Sequence, residues 1–500
     1  MKDIRRIGVN MISGGAGYLI PMAINLFSTP YVIKNLGKEA YGIQTLANVI
    51  IGYLVVADMG LDIPITKKVA EYFGKESDTQ VGRFLMATIK MYFLIGAMGM
   101  AVVFIFTNPL ISVLAIPERF FAEARIVFYL TAFGFLGSIV NMWGRAVYNG
   151  MHRYDIANGV SIFNNLFGIL TGIFLIMKGY GVVGFFSARI GSFLISNILY
   201  LSIASRYFAK ANFFPFIDLE VWHYLKKQIG YGFSLRMSGM IFSRMDQTLI
   251  SSWLGVAMVT VYSIPVLIAN TLAGLISSIM HFAFPMASAL HASHSIQELE
   301  NFYIKISKFI TALATLIFIP FLAVGDKFLA VWIGGPIASQ SHAVLALLLL
   351  AFYFNTCLTT ALVSFVVGTG QLQYFTKYSI ARGIVLLTGF IVFIKGFGIE
   401  GAGLSYLAAL LLDIGFFAYT VRKKLMFNLA RLTAQALLKP MIPGLVLGAL
   451  LYQFKDHVNT WLELVLAGVA FSITYIAIGL KIDIFGDLEK KAIFTLLKRR

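Results

Sequence analysis

Charged side chains stand inside otherwise apolar stretches of this chain: Lys90, Arg145, Arg189, Arg236, Arg244, Asp246, Arg382 and Asp413, with Asp58 nearer the end of its stretch. A charge at the centre of a membrane helix costs about 2.5–3.5 kcal/mol on insertion scales, so each needs a reason. The richest stretch, residues 231–255, reads YGFSLRMSGMIFSRMDQTLISSWLG. On one continuous helix, Arg236, Met240, Ser243 and Gln247 would share a face. Arg244 and Asp246 would lie about 80° to either side of it, too far apart in angle to pair with each other. Such a helix cannot face lipid on both flanks and is expected to line a cleft. Cations outnumber carboxylates among these residues. A wet, cation-rich cavity favours an anionic ligand, above all a phosphate or diphosphate that arginine grips with two parallel hydrogen bonds. An exporter of cationic compounds needs the opposite bias. For Lys90, Arg145 and Arg382, each within a few turns of a span end, a long stem reaching to the interface is an equal reading.

The elements that must position these residues are membrane spans. Of 500 residues, 59% are hydrophobic and 13% charged, with a mean hydropathy of +0.82. A soluble globular domain is about one quarter charged, so the solvent here is the bilayer. Apolar runs of spanning length fall near 10–33, 41–61, 84–106, 124–148, 156–177, 181–205, 229–253, 257–287, 305–331, 342–367, 374–395, 399–421, 436–453 and 460–480. The fold expected is thus an all-α integral membrane protein of about fourteen helices. The start, MKDIRRIGVN, leads into a span without a small-residue cleavage site and reads as a helix that stays. The net charge of +17 comes mostly from lysines and arginines between spans. With both termini cytoplasmic, most of them fall on the cytoplasmic side, as topology requires, so nucleic acid is not the expected partner. Segments 206–228 and 422–435 read as interfacial helices, with Phe213, Phe214, Phe216 and Trp222 at headgroup depth. The single cysteine, Cys357, excludes a disulfide within the chain and reads as a buried core thiol.

The chain also repeats itself. LTGIFLIMKGYGVVG at 170–184 recurs as LTGFIVFIKGFGIEG at 387–401, and Leu36-Gly37 recurs as Leu254-Gly255 at nearly the same spacing. Helices 1–6 and 7–12 are therefore expected to form two pseudo-symmetric lobes, 1–210 and 211–425, with helices 13–14 and a basic tail in 426–500. An even number of helices per repeat makes the repeats parallel, a design in which the substrate site lies between the halves. Pro21, Pro30 and Pro265 each delete a backbone hydrogen bond; Pro30 and Pro265 are the candidate hinges, a static kink being the equal alternative. The glycines of GILTG, Gly168 and Gly172, read as close helix packing.

No G-x-x-x-x-G-K-[ST] loop, H-E-x-x-H or Cys/His ligand cluster occurs, so neither ATP hydrolysis by that route nor a zinc centre is expected, and no cofactor. A membrane-embedded transferase would need a catalytic carboxylate or histidine cluster at one membrane face, which is lacking. Transport, not covalent chemistry, is the expected activity.

The motifs of the first 80 residues resemble those of the polysaccharide-transport branch of the MOP exporter superfamily, the Wzx-type oligosaccharide-lipid flippases. They are the N-terminal basic patch, Asn10, PYVIKNLGKEAYGIQTLANVI with Pro30, Leu36, Gly37, Tyr41 and Gly42, then Asp58, Gly60 and KKVAEYFG. Asp246 followed by Leu254-Gly255 and the KGYGVVG/KGFGIEG pair extend the resemblance over roughly 1–425. It implies a MATE-like fold of two six-helix lobes. It also implies flipping of an undecaprenyl-diphosphate-linked oligosaccharide across a bacterial inner membrane, with Na+ or H+ coupling and a polysaccharide polymerase and chain-length machinery as partners. A MATE-type drug/cation antiporter and a lipid II flippase are the competing readings; the former predicts about twelve helices and a carboxylate-led cavity.

Overall fold

A computed structural model describes the backbone of residues 2–73, 78–208, 218–226, 244–279, 296–369 and 372–484, and all regular structure among these is helical. Helices are what a bilayer allows, because each satisfies its own backbone polar groups where no water can. In chain order they are α1 Lys2–Leu36, α2 Lys38–Leu54, α3 Asp62–Phe73, α4 Asp78–Val113, α5 Phe121–Gly150, α6 Tyr154–Met177 and α7 Gly181–Phe208. There follow α8 Met245–Leu254, α9 Val256–Ile279, α10 Ile296–Trp332, α11 Gly335–Gly368, α12 Leu372–Tyr419, α13 Lys439–Gln453 and α14 Trp461–Lys481. Eleven stretches among the described residues are long and apolar enough to cross a membrane. One of them, Gln373–Lys424, contains two expected spans, 374–395 and 399–421, separated by a break at Gly398 (φ 61°, ψ −141°). The first expected span is α1, 35 residues long, and α8 is the end of the seventh.

The seventh span departs from expectation in one respect. Arg244 has φ −125° and ψ −3°, outside the helical region, and the helix begins at Met245. The wheel angle between Arg244 and Asp246 assumed one continuous helix and does not hold. Residues 227–243, including Arg236, lie outside the described residues.

The repeat is visible in the backbone. Gly37 (φ 84°, ψ 167°) and Gly255 (φ 89°, ψ 159°) end their helices in the same conformation, one that a side chain would strain. Gly181 (φ 56°) and Gly398 (φ 61°) are a second matched pair.

By packing, the chain forms two compact units, Met1–Thr260 and Val261–Arg500. The expected lobes, 1–210 and 211–425, are a partition by internal correspondence rather than by packing. In the first unit α5 is central and packs on α2, α3, α4 and α7, while α6 pairs with α7 and α1. Glycines set the spacing: Gly99 faces Phe135, Gly144 faces Tyr200, Gly168 faces Ser192 and Gly172 faces Phe185. Polar side chains in this core bond from helix to helix. Trp143 Nε1 donates to Thr88 Oγ1 at 3.0 Å, and the Tyr148 hydroxyl donates to the Tyr200 carbonyl at 3.0 Å. The segment from Asp218 to Lys226 docks beside α3 and α4 with Val221 and Leu225 buried in the same core. Phe213, Phe214 and Phe216 lie outside the described residues.

In the second unit α10 is the hub for α11, α13 and α14. Gly444 and Gly448 of α13 seat against Thr315 and Ile319 of α10, and the Tyr475 hydroxyl of α14 donates to the Pro440 carbonyl. Pro265 cannot donate to the carbonyl of Val261, one turn earlier. Ser341 of α11 donates to that carbonyl instead, at 2.8 Å.

Candidate functional site

Two arginines of the first unit stand near mid-membrane depth. Arg189 lies ~12 Å along α7 from its Gly181 start, and Arg244 lies ~16 Å from Gly255, against an apolar thickness of ~30 Å. Both are partly buried. Arg189 stands within electrostatic range of Tyr41 and of Arg244. Arg244 lies across the face of α2: a Cβ added at Gly52 would come 2.6 Å from its Nε, and its Nη1 reaches toward the Asn48 carbonyl at 3.5 Å. The absence of a side chain at Gly52 is thus a notch that the guanidinium fills. Beside it Tyr53 and Thr248 join α2 to α8 through their hydroxyls at 2.8 Å. Among the described residues neither guanidinium has a carboxylate within ion-pair distance. Asp246, fully buried, accepts the Gln247 N–H at 2.7 Å.

On the face that carries Gly37 this unit is closed by short contacts. Thr260 donates to the Lys38 carbonyl at 2.5 Å, and a Cβ on Gly42 would meet the Val256 carbonyl oxygen at 2.3 Å. In the repeat Lys38 corresponds to Val256 and Gly42 to Thr260, so the first turns of α2 and α9 meet reciprocally. Ser251 donates to the Leu114 carbonyl at 2.6 Å, and Arg119 pairs with Glu39 at 2.7 Å.

The other candidates are placed differently. Arg382 belongs to the second unit, where its Nε donates to Asp413 Oδ1 at 2.9 Å. The same carboxylate accepts from Tyr378 (2.6 Å) and Asn355 (2.6 Å), joining α11 to both halves of α12. The Asp413 side chain is 1% exposed and that of Arg382 24%. Asp413→Ala would leave this guanidinium and two further donors without their acceptor. We expect a loss of about 3–5 kcal/mol, read as a lowered melting temperature in detergent, with Asp413→Asn losing less. Arg145 is exposed near the end of α5, and Lys90 is partly buried in α4. Pro30 sits inside α1, and Pro265 inside α9 with its freed carbonyl satisfied as described.

Sequence reasoning passed over the neutral residues near the arginines. Ser192, one turn beyond Arg189, lies 2.5 Å from Asn164 Oδ1 and 2.7 Å from the Arg189 carbonyl. Asn197 donates to the Gly137 carbonyl at 2.9 Å. Gln44 Oε1, Asn141 Nδ2 and Asn197 Oδ1 are buried without a partner. The i, i+4 spacing of Ser192 and Ser196 on the Arg189 side of α7 was the available signal.

The described residues thus combine membrane-spanning helices with two arginines that have no carboxylate partner among those residues. Residues 17–174 match the MatE family model. The chain aligns over 95% of its length, and all of the other chain, with a structure titled lipid II flippase MurJ, inward closed conformation, at TM-score 0.76 and 12% identity. An inward-facing multidrug resistance MATE family transporter of the MOP superfamily aligns over 86% of this chain and 98% of its own, at TM-score 0.68 and 14% identity. A Shigella flexneri protein with the name "Putative O-antigen transporter" is 23% identical over 411 residues, which cover 79% of this chain and 93% of that protein. These likenesses show that the chain has the helical fold shared by the MurJ and MATE structures.

Proposed function

We propose that this protein flips a polyprenyl-diphosphate-linked oligosaccharide, a repeat unit of O-antigen, capsule or exopolysaccharide, across the bacterial inner membrane by alternating access, with both termini cytoplasmic. The observation that carries the reading is the pair Arg189 and Arg244, near mid-depth by position along their segments, with no carboxylate among the described residues to neutralise them. Two guanidinium groups within electrostatic range repel each other, and a diphosphate relieves that repulsion while accepting several N–H donors. Arg236, eight residues before Arg244 in the sequence, and the cations Lys90 and Arg145 would complete the basic path; Arg382 would serve it indirectly by holding α12. Lobes 1–210 and 211–425 would rock about Pro30 and Pro265, driven by Na+ or H+ or by substrate supply, and would hand the glycan to a polymerase and its chain-length machinery.

The MurJ structure aligns with more of this chain (95%) than the MATE transporter does (86%), which favours a lipid-linked glycan over a drug cation. The likeness to the Shigella flexneri relative leans toward O-antigen precursors rather than lipid II. The test is binding by the purified protein of undecaprenyl diphosphate, undecaprenol and tetraphenylphosphonium. The diphosphate should bind at least tenfold more tightly than the other two. Saturable binding of the cation with none of the diphosphate would instead identify a MATE-type antiporter.

A further inference from the structure

The face of the first unit opposite Gly37 holds a pocket of about 170 Å³ that the transport reading does not use. It lies where the segment 218–226, part of the link between the two repeats, docks on α3 and α4. Its polar lining is Lys68, Gln80, Arg83, Glu220 and the two tyrosines Tyr72 and Tyr224. Phe84 forms the floor, edge-on to both tyrosine rings at 5.8 and 6.4 Å. Lys68 stands over both tyrosine rings, at 4.9 and 5.1 Å, and gives one of its three N–H donors to Glu71. Arg83 holds Asp218 with two hydrogen bonds and Glu220 with a third contact at 3.1 Å. Burial raises the Asp218 carboxyl, but the Arg83 hydrogen bond and the N–H groups of Val221 and Glu220 outweigh it and hold it below the usual carboxylate range.

Three features point to an occupant. Both cations are matched by carboxylates, Lys68 by Glu71 and Arg83 by Asp218 and Glu220, but Glu220 is 80% exposed and easily displaced. The Tyr224 hydroxyl is buried with no hydrogen-bond partner, an arrangement that costs about 1–3 kcal/mol unless something accepts its proton. Beside it Lys68 retains two uncommitted donors, and Gln80 is exposed at the rim. Phosphate oxygens accept from all of these groups at once. The depth is that of lipid headgroups, since Gln80 begins the apolar stretch of α4. The docked segment turns Val221 and Leu225 inward, while Leu219, 68% exposed, and Trp222, 37% exposed, face out. Outward leucine and tryptophan next to a pocket lined with N–H and O–H donors suit an acyl chain below a headgroup.

We propose that this pocket binds the phosphate of an anionic phospholipid, its donors being Lys68, Tyr224 and Gln80, and that the bound lipid fastens the inter-repeat link to α3 and α4. The test is native mass spectrometry of the delipidated full-length protein with dioleoylphosphatidylglycerol, with dioleoylglycerol, which lacks the phosphate, and with inorganic phosphate as competitor. The double variant Lys68→Gln/Tyr224→Phe keeps the Arg83 clamp and the aromatic floor. Wild type should retain one phosphatidylglycerol at least tenfold more tightly than the variant, at equal melting temperature, and should not retain dioleoylglycerol. Equal retention by variant and wild type, or retention of dioleoylglycerol, overturns the assignment. Full displacement by micromolar inorganic phosphate would make the occupant a soluble phosphate and overturn the lipid.

Discussion

Reversing the charge of Arg189 or Arg244 to glutamate should abolish surface glycan while the protein reaches the membrane in normal amount. A hydrogen bond to a charged group is worth about 1.5–3 kcal/mol, so even Arg→Gln at either position should weaken diphosphate binding by about 10- to 100-fold. Reversal adds repulsion between a carboxylate and the phosphate where water is scarce. Surface polysaccharide and purified-protein binding measure the two effects, and membrane immunoblots control for insertion. Gly52→Ala separates position from charge. The added methyl would meet the flexible end of Arg244 at 2.6 Å, so the helix keeps its packing but the guanidinium must move. Diphosphate affinity should fall at nearly unchanged melting temperature. Export at wild-type level by both charge-reversed variants would remove these residues from the substrate grip.

Gly42→Val should be the most damaging single change on the Gly37 face. Its Cβ would fall 2.3 Å from the Val256 carbonyl oxygen, a backbone atom that no rotamer change can withdraw. The first turns of α2 and α9 must then separate, and the Thr260 hydrogen bond to Lys38 goes with them. Overpacking of this kind costs about 1–3 kcal/mol. Because it acts where the closed face is sealed, we expect at least a tenfold loss of export together with a lowered melting temperature. Gly191→Ala, where a Cβ meets nothing within 4 Å, should change neither. A Gly42→Val protein that melts and exports like wild type would show that this contact does not exist.

The spans were legible because the bilayer imposes one rule on every crossing segment: enough apolar length and a self-satisfied backbone. The same physics exposed the repeat, since Gly37 and Gly255 recur where only glycine accepts the backbone. What escaped the sequence depends on distant partners. Nothing local reveals that Gly52 is a notch for Arg244, that Ser341 answers the proline at 265, or that Arg382 is committed to Asp413. The charge of Arg382 was visible, but its partner lies in the other half of α12. No proline or glycine marks Arg244, whose backbone lies outside the helical region just before α8. Asn141, Asn164 and Asn197 escaped notice because they carry no charge, and charge was the feature that singled out the candidates within the spans.

In the proposed function, Arg189 and Arg244 together receive a diphosphate. Electron cryomicroscopy of the protein saturated with undecaprenyl diphosphate tests it most directly. Phosphate density within ~4 Å of both guanidinium groups is the expected result. Ordered lipid diphosphate held elsewhere, with both arginines directed to the membrane surface or locked to carboxylates, would contradict it.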